Sequence, residues 1–208
     1  MKNYNCTLYL VRHGETEWNK QGIIMGQLDS PLTEEGIQQV NITAEELRSI
    51  HFDVIFSSDL YRAFRTAEII KLERELVIQT SKALRERTFG SWEGKLGADH
   101  KKEFKEVLEK MHDLSEDEQK AFKFSHDDES DDEVISRFIT ALREIAVAYP
   151  NKKVLVVTHG GCIRTFLIHL GYATYGDLPV GSFSNAGYVK LFSDGVDFKI
   201  DKVVGIKK

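Results

Sequence analysis

Four aliphatic residues in a row, Val154-Leu155-Val156-Val157, leave this chain little choice of fold. The run is too short to cross a bilayer, which takes about 20 apolar residues. It also lacks the polar alternation of a half-exposed strand, so it reads as a strand buried on both faces. It gives way at once to Thr158-His159-Gly160-Gly161, and a helix is expected from there to about Leu170. The pattern recurs along the chain. Thr7-Leu8-Tyr9-Leu10-Val11 is a buried strand that breaks at Arg12-His13-Gly14-Glu15, and Val54-Ile55-Phe56 is another, followed by Ser57-Ser58-Asp59. Leu76-Val77-Ile78 is a short third strand of this kind. Between them, Thr33 through Ser49 reads as a helix: Thr33 caps it, Glu34 and Glu35 suit its first turn, and Ile37, Val40, Ala44 and Leu47 recur at helical spacing. A helix is expected from about Leu60 to Leu72. The capping box Ser130-Asp131-Asp132-Glu133 opens another, with Val134, Phe138, Leu142, Ile145 and Tyr149 on its buried face and Pro150 stopping it. Residues 187–204 alternate and read as one or two closing strands. Strands separated by helices predict a three-layer α/β/α sandwich around a mostly parallel sheet.

In such a sheet, ligands bind beyond the carboxyl ends of the strands. Arg12 and His13 follow the first strand and His159 follows the strongest one. Two distant histidines therefore project from one sheet edge, provided those strands are parallel neighbours. Arginine forks grip phosphate oxygens in a bidentate way and stay charged. Arg12 and Arg62 with one protonated histidine would make an anion pocket, and the other histidine, if neutral, could attack phosphorus in line. That pocket would oppose the overall sign of the chain, which carries 28 Lys and Arg against 33 Asp and Glu, a net charge of −5. The same balance argues against sequence-independent nucleic-acid binding. There is no P-loop, no zinc-type His-Glu-x-x-His or Cys-x-x-Cys, and no Gly-x-Ser-x-Gly elbow. Two cysteines, Cys6 and Cys162, exclude a disulfide framework and suggest a reducing, cytoplasmic location; residues 1–6 do not read as a signal peptide.

The middle of the chain changes character. From Asp99 to Met111 charge dominates, with Phe104, Val107, Leu108 and Met111 forming a helical stripe. From Asp113 to Glu133 the sequence is strongly acidic, as expected of a solvated insertion. Asp127, Asp128, Asp131 and Asp132 could ligate a cation, but they lack the glycine-bearing spacing of an EF-hand loop, and no metal is expected. With no repeat and no linker, residues 1–208 read as one domain, with 95–130 a helical lid inserted over the site.

Five blocks in order carry a resemblance. They are Leu10-Val11-Arg12-His13-Gly14-Glu15-Thr16-Glu17-Trp18-Asn19, the segment Gly26 to Gly36, the segment Ser57 to Glu68 around Arg62, Leu84-Arg85-Glu86-Arg87-Thr88-Phe89-Gly90-Ser91-Trp92-Glu93-Gly94, and Val157-Thr158-His159-Gly160-Gly161. Together they resemble the histidine phosphatase superfamily, the phosphoglycerate-mutase-like proteins, over nearly the whole chain except the acidic middle. The resemblance implies that His13 takes the phosphoryl group and that Arg12, Arg62 and His159 hold its oxygens. It implies a further hydrogen bond from Asn19 and close approach of the Gly160 backbone. Glu86 would protonate the leaving alkoxide and then activate water. Gln27 is expected to contact substrate. Glu15 and Glu93 are rivals for the acid role, Cys162 reads as a packed residue, and Trp18 and Trp92 either shape the pocket or pack in the core. His51, His100, His112, His126 and His169 read as structural or exposed. No cofactor is implied.

The family contains phosphatases and mutases. Region 95–130 lacks the Tyr-Arg-Arg-like, proline-bearing insertion of the cofactor-dependent mutases, and its acidity should disfavour a second phosphate or carboxylate. The expectation is thus a metal-independent phosphatase for a small phosphorylated metabolite, such as a sugar phosphate, phosphoglycerate, nucleoside monophosphate or cobalamin-pathway phosphate. A phosphoglycerate mutase and a catalytically silent binding module are the alternatives. No nucleic-acid or membrane partner is expected, and the sequence carries no signal for oligomeric state.

Overall fold

The computed structural model describes residues 5–71 and 74–206, the side chain of position 112 apart. The residues preceding position 5, the expected helix end at Leu72 and the reading of the His112 side chain lie outside the described residues. The chain enters on β1 (Cys6–Arg12) and passes through a short helix α1 (Glu17–Gln21) to α2 (Glu34–Glu46). Thr33 caps α2 as expected, its hydroxyl accepting from the Gly36 N–H. β2 (Val54–Ser58), α3 (Tyr61–Lys71) and β3 (Ile78–Ser81) follow. The middle segment holds three short helices, α4 (Gly97–Glu103), α5 (Lys105–Lys110) and α6 (Glu116–Ala121). The long helix α7 (Asp131–Ala148) opens on the anticipated Ser130–Glu133 capping box. β4 (Lys153–Thr158), α8 (Gly160–His169) and the hairpin β5 (Phe183–Ser193) and β6 (Phe198–Ile206) complete the fold.

The strands form one six-stranded sheet in the order β3-β2-β4-β1-β5-β6. The first four run parallel, and β5 is antiparallel to both its neighbours. Because side chains alternate across a strand, β1 supplies both faces. Leu8 and Leu10 join α7 and α8 in one core, while Tyr9 and Val11 join α2 and α3 in the other. Two cores on opposite faces make the three-layer α/β/α sandwich. β1 and β4 are parallel neighbours with Arg12 opposite Thr158, so His13 and His159 leave adjacent strand ends together. Among the described residues no helix is long and apolar enough to cross a membrane.

Two expectations need correction. The third strand covers Ile78–Ser81 rather than Leu76-Val77-Ile78, pairing Ile55 with Ile78 through Ser58 with Ser81. As the sheet edge it is half solvated and needs no apolar run, and Val77 is 81% exposed. The acidic middle is also less solvated than its charge suggests. Asp128 and Asp131 are buried. Asp128 accepts backbone N–H bonds from Phe124 and Ser125, and Asp127 accepts from Ser91. The inner side of this segment is aromatic, with Trp92, His100, Phe104 and Phe124 packed ring on ring at 4.8 to 5.7 Å.

Candidate active site

A cavity of about 290 Å³ opens at the carboxyl ends of β1 and β4. Arg12, His13, Asn19, Arg62, Glu86 and Gly160, which the sequence separates by up to 148 positions, all line it. His13 is 2% exposed and is fixed from both sides of its backbone: its N–H donates to the Thr158 carbonyl, and its own carbonyl accepts from Ala186 and Asn185. Its Nδ1 lies 2.7 Å from the Gly14 carbonyl oxygen, which can only accept. Nδ1 therefore bears the proton, and Nε2 keeps a free lone pair. Burial and the charges of Arg62 and Arg12 lower the His13 pKa well below its ordinary value, so the ring is neutral and nucleophilic at neutral pH.

The cations are placed with similar economy of freedom. Arg62, on the first turn of α3, is fully buried, and its two terminal nitrogens reach the Leu28 and Gly26 carbonyls at 2.7 Å and Asp29 at 3.1 Å. Asp29 also caps that helix, accepting from the Tyr61 and Arg62 backbone N–H groups. Arg12 donates to the Phe183 carbonyl. Among the described residues, the Nε of each arginine is buried without a hydrogen-bond partner, as are both ring nitrogens of His159. Buried polar atoms left bare are costly unless a ligand meets them. Here they cluster around the cavity that His13 lines, the ring centroids of His13 and His159 standing 5.2 Å apart. This is an arrangement that can seat a tetrahedral oxyanion. Burial lowers Arg12 to about 10, which leaves it charged at neutral pH.

His159 departs from the expected protonated state. Burial, Arg62, His13 and Arg12 all lower its pKa well below the ordinary value, so it is neutral while no anion is bound. An arriving dianion reverses the sign of the local field and favours its protonation.

Glu86 comes from the loop after β3. Its two carboxylate oxygens accept the Arg87 and Gly161 N–H groups, each at 2.9 Å. Gly161 needs its bareness, because a Cβ there would collide with the same carboxylate, and one on Gly160 would come within 2.9 Å of Arg12 Nε. Glu15 and Glu93 do not line the cavity: Glu15 accepts from the Thr33 hydroxyl, and Glu93 from the Gln27 and Phe89 backbones. Gln27 itself stands behind the wall, its amide directed to the Glu86 carbonyl at 3.4 Å and to Arg85. Cys162 is buried and points its thiol at the Arg85 carbonyl. Trp92 packs in the aromatic cluster, while His51, His126 and His169 are exposed.

The sequence did not disclose Arg137, Asn185, Arg87 or Arg164. Arg137, from α7, makes five hydrogen bonds: two to Glu129, and one each to the carbonyls of Ala83, Arg85 and Glu86. It thus clamps the backbone that carries Glu86. Asn185 ties the His13 carbonyl to the Asn19 side chain. Arg87 and Arg164 line the cavity and share Asp131. Arg87 stands in the fourth resembling block beside Glu86, but Arg137, Asn185 and Arg164 have no local signal and act through partners that the fold brings to them.

The family described as histidine phosphatase superfamily (branch 1) matches residues 8–204. The Uncharacterized phosphatase PhoE of Bacillus subtilis is 35% identical over 162 residues, spanning 77% of this chain and 75% of its own. A metal-independent phosphoserine phosphatase of Arabidopsis thaliana is 36% identical over 174 residues, spanning 80% and 69%. Among solved structures, a phosphoglycerate mutase from Bacillus anthracis superposes with a TM-score of 0.83 at 27% identity, over 99% of this chain and 95% of that one.

Proposed function

The chain belongs to the histidine phosphatase superfamily, branch 1, and from that membership we propose that it hydrolyses a small phosphomonoester through a phosphohistidine on His13. The observation that carries this reading is the state of His13: buried, neutral, with Nδ1 tied to Gly14 and Nε2 free, in a cavity shared with Arg12, Arg62 and Glu86 and with the His159 ring 5.2 Å away. In the first step Nε2 attacks phosphorus in line, the P–O bond to the alcohol breaks, and Glu86 gives its proton to the departing oxygen. In the second, Glu86 takes a proton from water, the resulting hydroxide attacks phosphorus, and the P–N bond returns its electrons to His13. Arg12, Arg62, His159, Asn19 and the Gly160 N–H at the start of α8 hold the three non-bridging oxygens and oppose their charge in the transition state. The arginines provide positive charge that phosphoryl transfer elsewhere takes from metal ions, so the reaction proceeds without a metal. Residues 95–130 act as the lid, with Phe124 on the cavity wall, and the whole chain works as one domain. Two free, buried cysteines suit a reducing, cytoplasmic setting.

The test is hydrolysis of p-nitrophenyl phosphate in EDTA, with His13→Ala as the control. Turnover that survives EDTA and vanishes in the variant supports the reading; turnover that needs added metal refutes it. The likeness to a phosphoglycerate mutase keeps the mutase reading as the second one. Incubation with 3-phosphoglycerate and 2,3-bisphosphoglycerate separates them: isomer without free phosphate identifies a mutase.

A further inference from the structure

The buried face of α3 is apolar except at two positions. Ala63, Ala67 and Ile70 are buried there together with Arg62 and Thr66, and both polar residues are fully inaccessible. The mechanism uses Arg62 but not Thr66, which does not line the cavity. A β-branched residue is a poor helix former, and a hydroxyl buried in a core is costly unless its hydrogen bonds are made.

The Thr66 hydroxyl makes two, and they join different elements. It donates to the Arg62 carbonyl one turn back at 2.8 Å and accepts the Gly14 backbone N–H at 3.1 Å. The directions are fixed, because a carbonyl can only accept and an N–H can only donate. Gly14 is the residue whose carbonyl oxygen lies 2.7 Å from His13 Nδ1. The two peptides that flank Gly14 are held at all four of their polar groups. In the first, the His13 carbonyl accepts from Ala186 and Asn185, and the Gly14 N–H goes to Thr66. In the second, the Gly14 carbonyl accepts from His13, and the Glu15 N–H donates to Gln39 Oε1 at 3.3 Å. A Cβ on Gly14 would come within 2.7 Å of the Gly36 carbonyl oxygen and of Val40, so the position takes the residue with the loosest backbone. Its orientation therefore rests on these bonds, and Thr66 supplies the one that comes from α3. The Arg62 guanidinium has anchors of its own in the Leu28 and Gly26 carbonyls and Asp29.

We propose that Thr66 is a positioning residue for the nucleophile. Its hydroxyl fixes the His13–Gly14 peptide, and through it the Gly14 carbonyl that keeps the imidazole proton on Nδ1 and leaves Nε2 for phosphorus. This rests on the phosphohistidine reading above and adds to it a residue that acts only through Gly14.

Two substitutions separate this role from packing. Thr66→Val keeps the shape and removes the hydroxyl, whereas Thr66→Ser keeps the hydroxyl and removes a methyl group. The measurements are the single-turnover rate of phosphoenzyme formation from p-nitrophenyl phosphate, the inhibition constant of inorganic phosphate, and the His13 tautomer. The last is read from ¹⁵N–¹H correlation spectra of histidine-labelled protein, with His13→Asn identifying the signal. Thr66→Val should lower the rate by about tenfold or more and move part of the proton from Nδ1 to Nε2. Phosphate inhibition should change by less than about threefold, since Arg62 keeps its anchors, and Thr66→Ser should stay within about threefold of the unmodified protein in rate. The opposite order, with serine slow and valine unimpaired, overturns the proposal while the phosphatase reading stands; so does a valine variant whose His13 tautomer is unchanged. Should Thr66→Val fail to fold, the serine variant decides: a rate within about threefold supports the proposal, and a loss beyond about tenfold overturns it. An unmodified protein that forms no phosphoenzyme overturns both.

Discussion

In the proposed mechanism the chemistry at position 13 depends on which imidazole nitrogen holds the proton, and the Gly14 carbonyl decides it. Replacing the ring removes the only acceptor that the mechanism uses, so His13→Ala should lower turnover by at least about 10⁴-fold, to background, with no covalent phosphoenzyme. Glu86 makes a more discriminating prediction. Glu86→Gln should slow an alkyl phosphate by roughly 10² to 10³-fold, because an alkoxide leaves poorly without a proton. p-Nitrophenyl phosphate should slow less than about tenfold, since its phenolate leaves readily. Equal slowing of both esters in steady-state assays would remove Glu86 from the acid role. At this scale the sequence was informative where a residue ends a strand or sits in an ordered block, as Arg12, His13 and His159 do. It was silent on Asn185, whose contribution depends on Ala186 turning back at φ 56° to donate to the His13 carbonyl. Alanine at a left-handed position carries no marker that a reader of sequence would seek.

Between elements, α7 acts as a brace for the loop that carries Glu86. Its Arg137 binds the Ala83, Arg85 and Glu86 carbonyls of that stretch and is itself balanced by Glu129. Arg137→Met leaves the half-buried Glu129 carboxylate without its two guanidinium hydrogen bonds and should cost roughly 1–3 kcal/mol of stability. A purely structural residue would stop there. As a positioning residue, Arg137 should also reproduce the leaving-group signature of Glu86→Gln in weaker form, measured on the folded fraction below the melting transition. Arg137→Lys, which keeps the charge but not the fork, should recover stability better than rate. Periodicity located α7 and its cap because those signals are local. It misplaced β3, whose polar edge residues obey pairing rather than hydrophobicity. The acidic middle misled for a related reason: composition registers charge, not whether Asp127, Asp128 and Asp131 point inward to backbone N–H groups and arginines.

Over the whole molecule, two buried neutral histidines link stability to pH. His13 and His159 both have folded pKa values depressed by burial and nearby arginines. The unfolded chain, with histidines near about 6.5, therefore takes up protons first as pH falls. Stability is full above that value and declines as pH drops through it toward the depressed folded values. The melting temperature should fall from about pH 7.5 to about 5.5, and His159→Ala should make that fall shallower. Vanadate or phosphate should protect most at the acidic end, because a bound anion favours protonated His159. A melting temperature independent of pH over that range would mean that the histidines are solvated. The layered topology was legible because parallel strands buried on both faces write continuous apolar runs, whereas the pairing of β1 with β4 that sets His13 beside His159 was only a condition, because sheet order departs from chain order. Nor was the pairing of Arg62 with Asp29 or of Arg87 with Asp131 legible, since it emerges only once distant segments meet.

All of this depends on phosphorus becoming bonded to one imidazole. Rapid acid-free quenching of the protein with ³²P-labelled phosphomonoester, followed by proteolysis and peptide sequencing, reads that bond directly. The label should be acid-labile and alkali-stable, and should reside on the peptide bearing His13; turnover without a labelled peptide, or a label on any other residue, would contradict the account.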